Sequence, residues 1–358
     1  MPLLESTPVS PCAIVDPAEA QSPEVVRMSL AAAMTLGFKQ GLFYRNARLY
    51  CINLLLTYHN GCSARCAYCG LSARRPGLYE QKSFIRVTWP VYTVTDIIAA
   101  IAQRTKKVKR ICISMITHQR AVEDTKTLCA RLRAAFDVPV SLLLAPTLVT
   151  KADLLDFKAA GADRIGVAVD LATPALFDHY RGAGVGGPHR WDTYWQCLET
   201  ATGIWGDGRV GPHLMVGMGE TEQQMCAAIQ RARDLGGRTH LFSFFPEAQS
   251  ALAEHPQPPM AQYRRIQLAR YLIDHGVCRS DQMAYDDQGK IVDFKRPGIE
   301  LDAIVDSGEP FRTSGCAGYD GQVACNRPYA NSRPGPDIRN YPFAPDADDI
   351  RRIRRQMG

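Results

Sequence analysis

Cys62, Cys66 and Cys69 lie in one short loop, spaced C-x3-C-x2-C and followed by Gly70. Three thiolates packed this tightly can hold three irons of a [4Fe–4S] cube and leave the fourth iron without a protein ligand. An open iron is a place for chemistry, whereas a cluster with four cysteine ligands usually only carries electrons. Structural zinc is the competing reading, but zinc wants a fourth ligand, usually from a second closely spaced pair. The candidate pair, Cys316 and Cys325, lies far downstream and is widely spaced.

Those two cysteines sit in a glycine-rich stretch, Arg312 to Tyr329, with too little apolar material to explain them as buried hydrophobes. A disulfide and a second iron–sulfur cluster are the two readings, and a reducing compartment favours the cluster. Two thiolates are not enough. Cys112, midway along a strand candidate, is the expected third ligand, and Ser314 is an oxygen ligand that iron could release; Cys51 and Cys278 are held in reserve.

The cysteine loop must be positioned by what precedes it, the largely apolar run Leu49–Thr57, which reads as a strand. Strand candidates recur at Arg110–Met115, Pro139–Ala145, Arg164–Val169, His213–Val216 and Thr239–Phe245. Helix candidates alternate with them at Val94–Arg104, Arg120–Phe136, Lys151–Ala160, Pro174–Tyr180 with Trp191–Ile204, and Glu222–Leu235. A last helix follows at Met260–His275. The strands are mostly apolar on both faces, as buried parallel strands are.

Six such units predict an α/β fold, a full or partial (β/α) TIM-type barrel, with an open doubly wound sheet as the alternative. A cysteine loop at the C-terminal end of the first strand favours the barrel, whose active sites gather at that face. The expected division is an N-terminal leader and helix over 1–45, the barrel over 46–275 and a wrapping C-terminal tail over 276–358. Within the first part the helix is expected at Val25–Leu42. The tail is expected to fold over the barrel mouth and to close with a basic helix around Asp348–Arg355.

Composition bounds the rest. The 358 residues carry 46% apolar and 22% charged side chains, the balance of an ordinary soluble globular protein. No apolar stretch is long enough for a membrane span. Met1 to Ser22 lacks the basic start and apolar core of a secretory signal. A net charge of +6 admits an acidic protein partner or an anionic cofactor, but it is not the dense basic patch of a nucleic-acid binder. Most of the twelve cysteines lie singly in apolar segments, which fits a reducing, cytoplasmic setting.

Three cysteines in this spacing at the end of a first strand, with Tyr68 before the last of them, resemble the radical S-adenosylmethionine superfamily. The resemblance implies that S-adenosyl-L-methionine chelates the open iron through its amino and carboxylate groups. An electron from the reduced cluster would then cleave the sulfonium and give a deoxyadenosyl radical. It also implies cofactor contacts at Tyr68, at Ser114 and Met115 ending the second strand candidate, and at Asp170 for the ribose hydroxyls. Gly217, Gly219 and Glu220, in the turn Val216–Thr221, complete that set. Structural roles compete at each: Asp170 as the cap of the helix near Thr173, the glycines as a plain strand-to-helix turn.

A narrower resemblance covers about residues 28–342. Tyr44–Tyr58, Ser83–Pro90, Ile113–His118 and the tail around Thr313–Cys316 and Cys325–Pro328 look like the second component of the two-protein lipoyl synthase of archaea and some bacteria. Biotin synthase is similar through the barrel, but only Cys112 matches one of its barrel cysteines; Val140–Leu144 and Pro212–Met215 lack the others.

The lipoyl resemblance implies a sulfurtransferase that inserts sulfur into an unactivated carbon of an octanoyl chain on a lipoyl-carrier protein. No side-chain base removes a proton from an alkane, so the reaction needs a radical. Sulfide would come from the second, auxiliary cluster, also [4Fe–4S], and a partner radical protein and an electron donor are implied. Arg351, Arg352, Arg354 and Arg355 would offer an acidic carrier a docking face, and Tyr58, His59 and His118 would line the pocket. The alternative is a single-cluster radical mutase or cyclase, or a biotin synthase-like enzyme acting on a small molecule. No nucleic acid or membrane partner is expected.

Overall fold

A computed structural model describes residues 21–357, so the expected leader before residue 21 lies outside the described residues. Val25–Met28 forms a strand, β1, where the sequence predicts the start of a helix. Its valines are buried, and it pairs antiparallel with both β2 (Cys51–Leu56) and β3 (Val91–Thr93). The helix α1 is confined to Leu30–Thr35, where the Ser29 hydroxyl accepts from the Ala32 N–H. Adjacent valines lose rotamer freedom in a helix and pack well on a pleat, so the alanine-rich helix begins only after Met28.

From β2 onward strand and helix alternate. The order is α2 (Val94–Ala102), β4 (Arg110–Ser114), α3 (Ala121–Ala135), β5 (Val140–Leu144), α4 (Lys151–Ala159) and β6 (Ala162–Asp170). Then come α5 (Pro174–Tyr180), α6 (Trp191–Trp205), β7 (Val210–Val216), α7 (Glu222–Asp234), β8 (His240–Ser243) and α8 (Met260–Asp274). Thr93, Thr150, Thr173 and Thr221 each cap a following helix through the side-chain oxygen, which fixes where the connecting loops end.

The sheet runs β3-β1-β2-β4-β5-β6-β7-β8, with parallel pairing from β2 to β8. β3 and β8 end it without meeting. The architecture is therefore a partial (β/α) barrel, open along one side. Its helices cover the outer face, and the core lies between them and strands such as β2, β4 and β5, whose every residue is buried.

The tail carries a hairpin, β9 (Ala284–Tyr285) with β10 (Ile291–Asp293), and two helices, α9 (Gly298–Ser307) and α10 (Ala347–Met357). Between those helices residues 314–324 pass beneath the N-terminal ends of the barrel strands, the face opposite the expected mouth, and the chain then reaches the mouth cavity with Arg327 and Asn331. The Ser314 hydroxyl accepts from the Leu241 N–H of β8 at 2.9 Å. The Arg110 guanidinium of β4 donates to the Ala317 carbonyl, and the Tyr50 N–H ahead of β2 donates to the Ala324 carbonyl at 3.3 Å. One segment thus spans from β8 to β2 and β4, across the side that the strands leave open.

Arg264 of α8 clamps this segment. Its side chain is fully buried and donates to the carbonyls of Arg339 at 2.7 Å and Ile338 at 2.6 Å, and to the Gln356 amide oxygen at 3.0 Å. Burial pushes the guanidinium down to about 10, still cationic at neutral pH. Of the basic residues on α10, Arg354 is committed to Asp302 and Asp306 of α9. Among the described residues no helix is long and apolar enough to cross a membrane.

Arg264→Met keeps much of the volume but strands the buried Ile338 carbonyl and the Gln356 amide oxygen, and leaves the Arg339 carbonyl with Gln267 Nε2 alone at 2.9 Å. We expect it to cost about 3 kcal/mol. Denaturant titration should show the lower midpoint, and limited proteolysis should cut first within residues 313–343.

Candidate functional site

Alternate residues of a strand point to the same face, so each barrel strand sends every second side chain toward the axis. On β2 these are Cys51 and Asn53, on β4 Arg110, Cys112 and Ser114, on β7 His213 and Met215, on β8 His240 and Phe242. Barrels of this kind usually fill the axis with branched aliphatics. Here thiols, imidazoles and an amide take those places. Gly166 on β6 preserves the space, since a Cβ there would come within 3.1 Å of Leu143 and 3.3 Å of His213 Nε2.

A cavity of about 210 Å³ opens at the C-terminal ends of the strands, and Cys62, Cys66 and Cys69 all line it. The loop is braced at several points. The Ser63 N–H donates to the Thr117 carbonyl at 2.9 Å and the Ala67 N–H to the Tyr180 carbonyl at 2.8 Å. The Tyr68 hydroxyl donates to Asp170 Oδ2 at 2.7 Å, and Arg181 donates to Asp170, to the Tyr68 oxygen at 3.1 Å and to the Tyr194 oxygen at 3.0 Å. Asp170 holds this position with φ at +65°, a left-handed conformation that a non-glycine residue rarely adopts. Gly70 is required by space: a Cβ would sit 2.3 Å from the Ser83 carbonyl and 2.9 Å from Glu247.

Burial pushes the Cys66 thiol up to about 12 against the pull of Arg181, and it drives Cys69 well above the ordinary thiol range. Such thiols keep their protons until a metal displaces them. Among the described residues no three His, Cys, Asp or Glu side chains gather around a single ion. An iron–sulfur cube instead places each thiolate on a different iron, and three sulfur donors around one cavity suit it. Polar groups on the wall await a ligand. Ser114 Oγ and the Nε and Nη1 of Arg86 are buried without partners, and both residues line the cavity. Arg86 lies 3.5 Å over the Phe245 ring, and burial pushes it down to about 10.

Deeper on the axis, Cys112, Cys316 and Cys325 line a second cavity. Its own volume, about 30 Å³, is smaller than an iron–sulfur cube. It shares Leu143, His213, Phe242, Arg327 and Asn331 with the mouth cavity. The Cys325 sulfur accepts from Asn53 Nδ2 at 3.3 Å, and Cys316 Sγ lies 3.7 Å from His240 Nε2. Donation from Cys51, joined by the charge of Arg327, holds the Cys325 thiol well below its ordinary range although burial opposes this. Cys51 is pushed up by burial. The thiols in this group are thus unequal, with Cys325 the one poised to bind as thiolate.

Several expected residues lie elsewhere. Ser314 turns its hydroxyl onto the β8 backbone, and Cys278 donates toward the Phe294 carbonyl at 3.5 Å. Gly217, Gly219 and Glu220 do not line the mouth cavity. The Glu220 carboxylate accepts from the N–H groups of Gly217 at 2.8 Å and Met218 at 2.9 Å, and Pro258 fills the space beside Gly217. Asp170 does line the cavity, and the cap of α5 is Thr173. Tyr58 stacks on His118 with ring centres 3.7 Å apart and donates to Asp124 at 2.8 Å, outside the cavity lining. Arg86, Arg181, His213, His240 and Arg327 join the site without belonging to any motif. Stride-two polar residues in otherwise apolar strands were the available signal for the two histidines.

The profile of a family described as the radical SAM superfamily matches residues 56–242, from the end of β2 into β8 and across all three loop cysteines. No curated protein matches. Among solved structures, HydG, a maturase of the [FeFe]-hydrogenase, aligns at a TM-score of 0.49 and 12% identity, over 68% of this chain and 53% of its own. SuiB from Streptococcus suis, bound to S-adenosylmethionine, aligns at 0.42 and 11%, over 61% of this chain and 43% of its own. The methyltransferase TsrM from Kitasatospora setae aligns at 0.41 and 14%, over 68% and 48%. The chain spans about half the length of these structures.

Tyr68→Phe removes the hydroxyl that joins the cysteine loop to Asp170 and Arg181. A hydrogen bond to a charged group is worth about 2 kcal/mol. We expect that loss in denaturant titration, together with faster release of iron to a chelator from reconstituted protein.

Proposed function

This chain belongs to the radical SAM superfamily, and we propose that it is a sulfur-inserting enzyme acting on an octanoyl chain carried by a lipoyl-carrier protein. A partner radical protein and an electron donor complete the cytoplasmic system. The observation that carries this reading is the set of thiols from Cys112, Cys316 and Cys325 on the axis directly behind the mouth cavity.

When bound, the [4Fe–4S] cluster and S-adenosyl-L-methionine supply a radical that takes hydrogen from an unactivated carbon. Cys62, Cys66 and Cys69 provide the three thiolates for that cluster. Tyr68, Asp170 and Arg181 hold their loop against the end of β6. Ser114 offers a hydroxyl on the cavity wall, and Leu55, Met215, Phe242 and Phe244 make that wall apolar, which suits an alkyl chain and excludes water. Cys112, Cys316 and Cys325 would hold an auxiliary group able to supply sulfur, in space continuous with the mouth cavity through the residues the two share. The Cys51 thiol, the Arg327 charge and the Asn53 amide favour the thiolate form of Cys325.

A second reading has one observation in its favour. Arg86 presents two unpartnered buried nitrogens in the mouth, a fit for a carboxylate. A small carboxylate-bearing substrate, as in a biotin synthase-like enzyme, would use it.

Iron analysis after anaerobic reconstitution should give about eight irons per chain, against about four for a single-cluster mutase or cyclase. Incubation with dithionite, S-adenosyl-L-methionine and an octanoylated carrier peptide should add the mass of one sulfur to the peptide. Cys316→Ala should still release deoxyadenosine but leave the peptide unsulfurated. A variant that inserts sulfur normally sinks the auxiliary role. An Arg86→Gln variant with unchanged activity on the peptide favours the octanoyl reading over the small carboxylate.

A further inference from the structure

A third cavity, about 250 Å³, lies at the N-terminal ends of β6, β7 and β8, on the face opposite the mouth. Its wall holds Arg164, Arg209, Arg238, Arg270 and Arg312 against the acidic Asp274 and Glu309. Arg270 faces Asp274 at 3.7 Å, Arg312 pairs with Glu309 at 2.7 Å, and Arg209 and Arg164 lie 3.5 and 4.0 Å from Asp163. Positive charge is left over. Polar atoms are also left unpartnered: Arg270 is 7% exposed and Thr239 2% exposed, yet Arg270 Nε and Thr239 Oγ1 have no hydrogen-bond partner, and neither does the Nε of Arg164.

The inner end of this cavity is made by His240, Gly315 and Cys316, which also line the thiol-bearing cavity on the axis. We infer that the rear cavity is a binding site for small sulfur-carrying anions, through which sulfur reaches the inner thiols without passing the mouth. The inference rests on the sulfur-insertion reading for its purpose, and on the arginines and unpartnered donors for its chemistry. Hydrosulfide and the persulfide of a small thiol both carry the required negative charge. A basic funnel raises the local concentration of either, and steering of this kind accelerates association by at least about tenfold. Substrate and S-adenosyl-L-methionine can then occupy the front while sulfur arrives from behind.

Two measurements test it on the full chain. In the first, metal-free protein is titrated with radiolabelled hydrosulfide, and separately with cysteine persulfide, under anaerobic equilibrium dialysis. Saturable binding of either is expected, weakened about tenfold in Arg238→Glu, which alters an exposed rim residue, and in Arg164→Gln. Binding of one alone identifies the source of sulfur. In the second, reconstituted protein whose auxiliary group has been spent is supplied with ferrous iron and each donor, with dithionite to reduce the outer sulfur of the persulfide to sulfide, and recovery of visible absorbance is timed. Arg238→Glu should slow recovery about tenfold and leave the spectrum of the Cys62, Cys66 and Cys69 cluster unchanged. Equal binding and equal recovery in wild type and both variants overturn the rear site. Anion binding with no second cluster at all keeps the site and removes the sulfur-insertion reading.

Discussion

The stride of a β-strand governs this molecule. Every second residue of each parallel strand must face the barrel axis, and here that column is built from side chains an ordinary barrel core would reject. Cys51, Asn53, Cys112, His213 and His240 occupy positions that branched aliphatics usually fill in such barrels. A buried polar group is tolerated only when something satisfies it. The column therefore requires partners from outside the strands, and much of the remaining structure supplies them.

The tail is the principal supplier. A sheet whose end strands do not meet leaves its axis accessible from behind, and residues between α9 and α10 cross that opening. In crossing, they bring Cys316, Cys325 and Arg327 onto the axis and give β8, β2 and β4 new hydrogen-bond partners. The segment has little secondary structure of its own, so its backbone groups depend on the barrel. Arg264 meets that need with one guanidinium that satisfies carbonyls at both Ile338 and Arg339. Covering the rear and assembling the thiols are one structural event.

The cysteine loop, the strand and helix alternation and the inward direction of Cys112 were readable in the sequence, because each is a matter of spacing or local periodicity. The strand at Val25–Met28 was hidden by the alanine-rich run after it, whose helical signal extends backwards over two valines that tertiary pairing claims. The side on which the tail packs was not readable. It depends on contacts such as Arg264 with Arg339, 75 residues apart, for which no local pattern exists. The turn at Gly217 and Gly219 fits a cofactor-binding pattern, but both glycines take a positive φ (+108° and +103°), the Pro258 ring lies against Gly217, and Glu220 ties the turn N–H groups. Arg86 lay in a segment without periodicity, and only its burial and unpartnered nitrogens mark it.

The order of these parts along the chain carries a consequence for biogenesis. Cys62, Cys66 and Cys69 leave the ribosome early, whereas Cys316 and Cys325 follow only after the whole barrel has been made. Until residues 314–327 have been made, the rear of the axis lacks the chain that covers it, and Cys112 lacks the neighbours that Cys316 and Cys325 provide. The front loop has no such dependence on the end of the chain: its braces, at Thr117, Asp170 and Tyr180, all precede the tail.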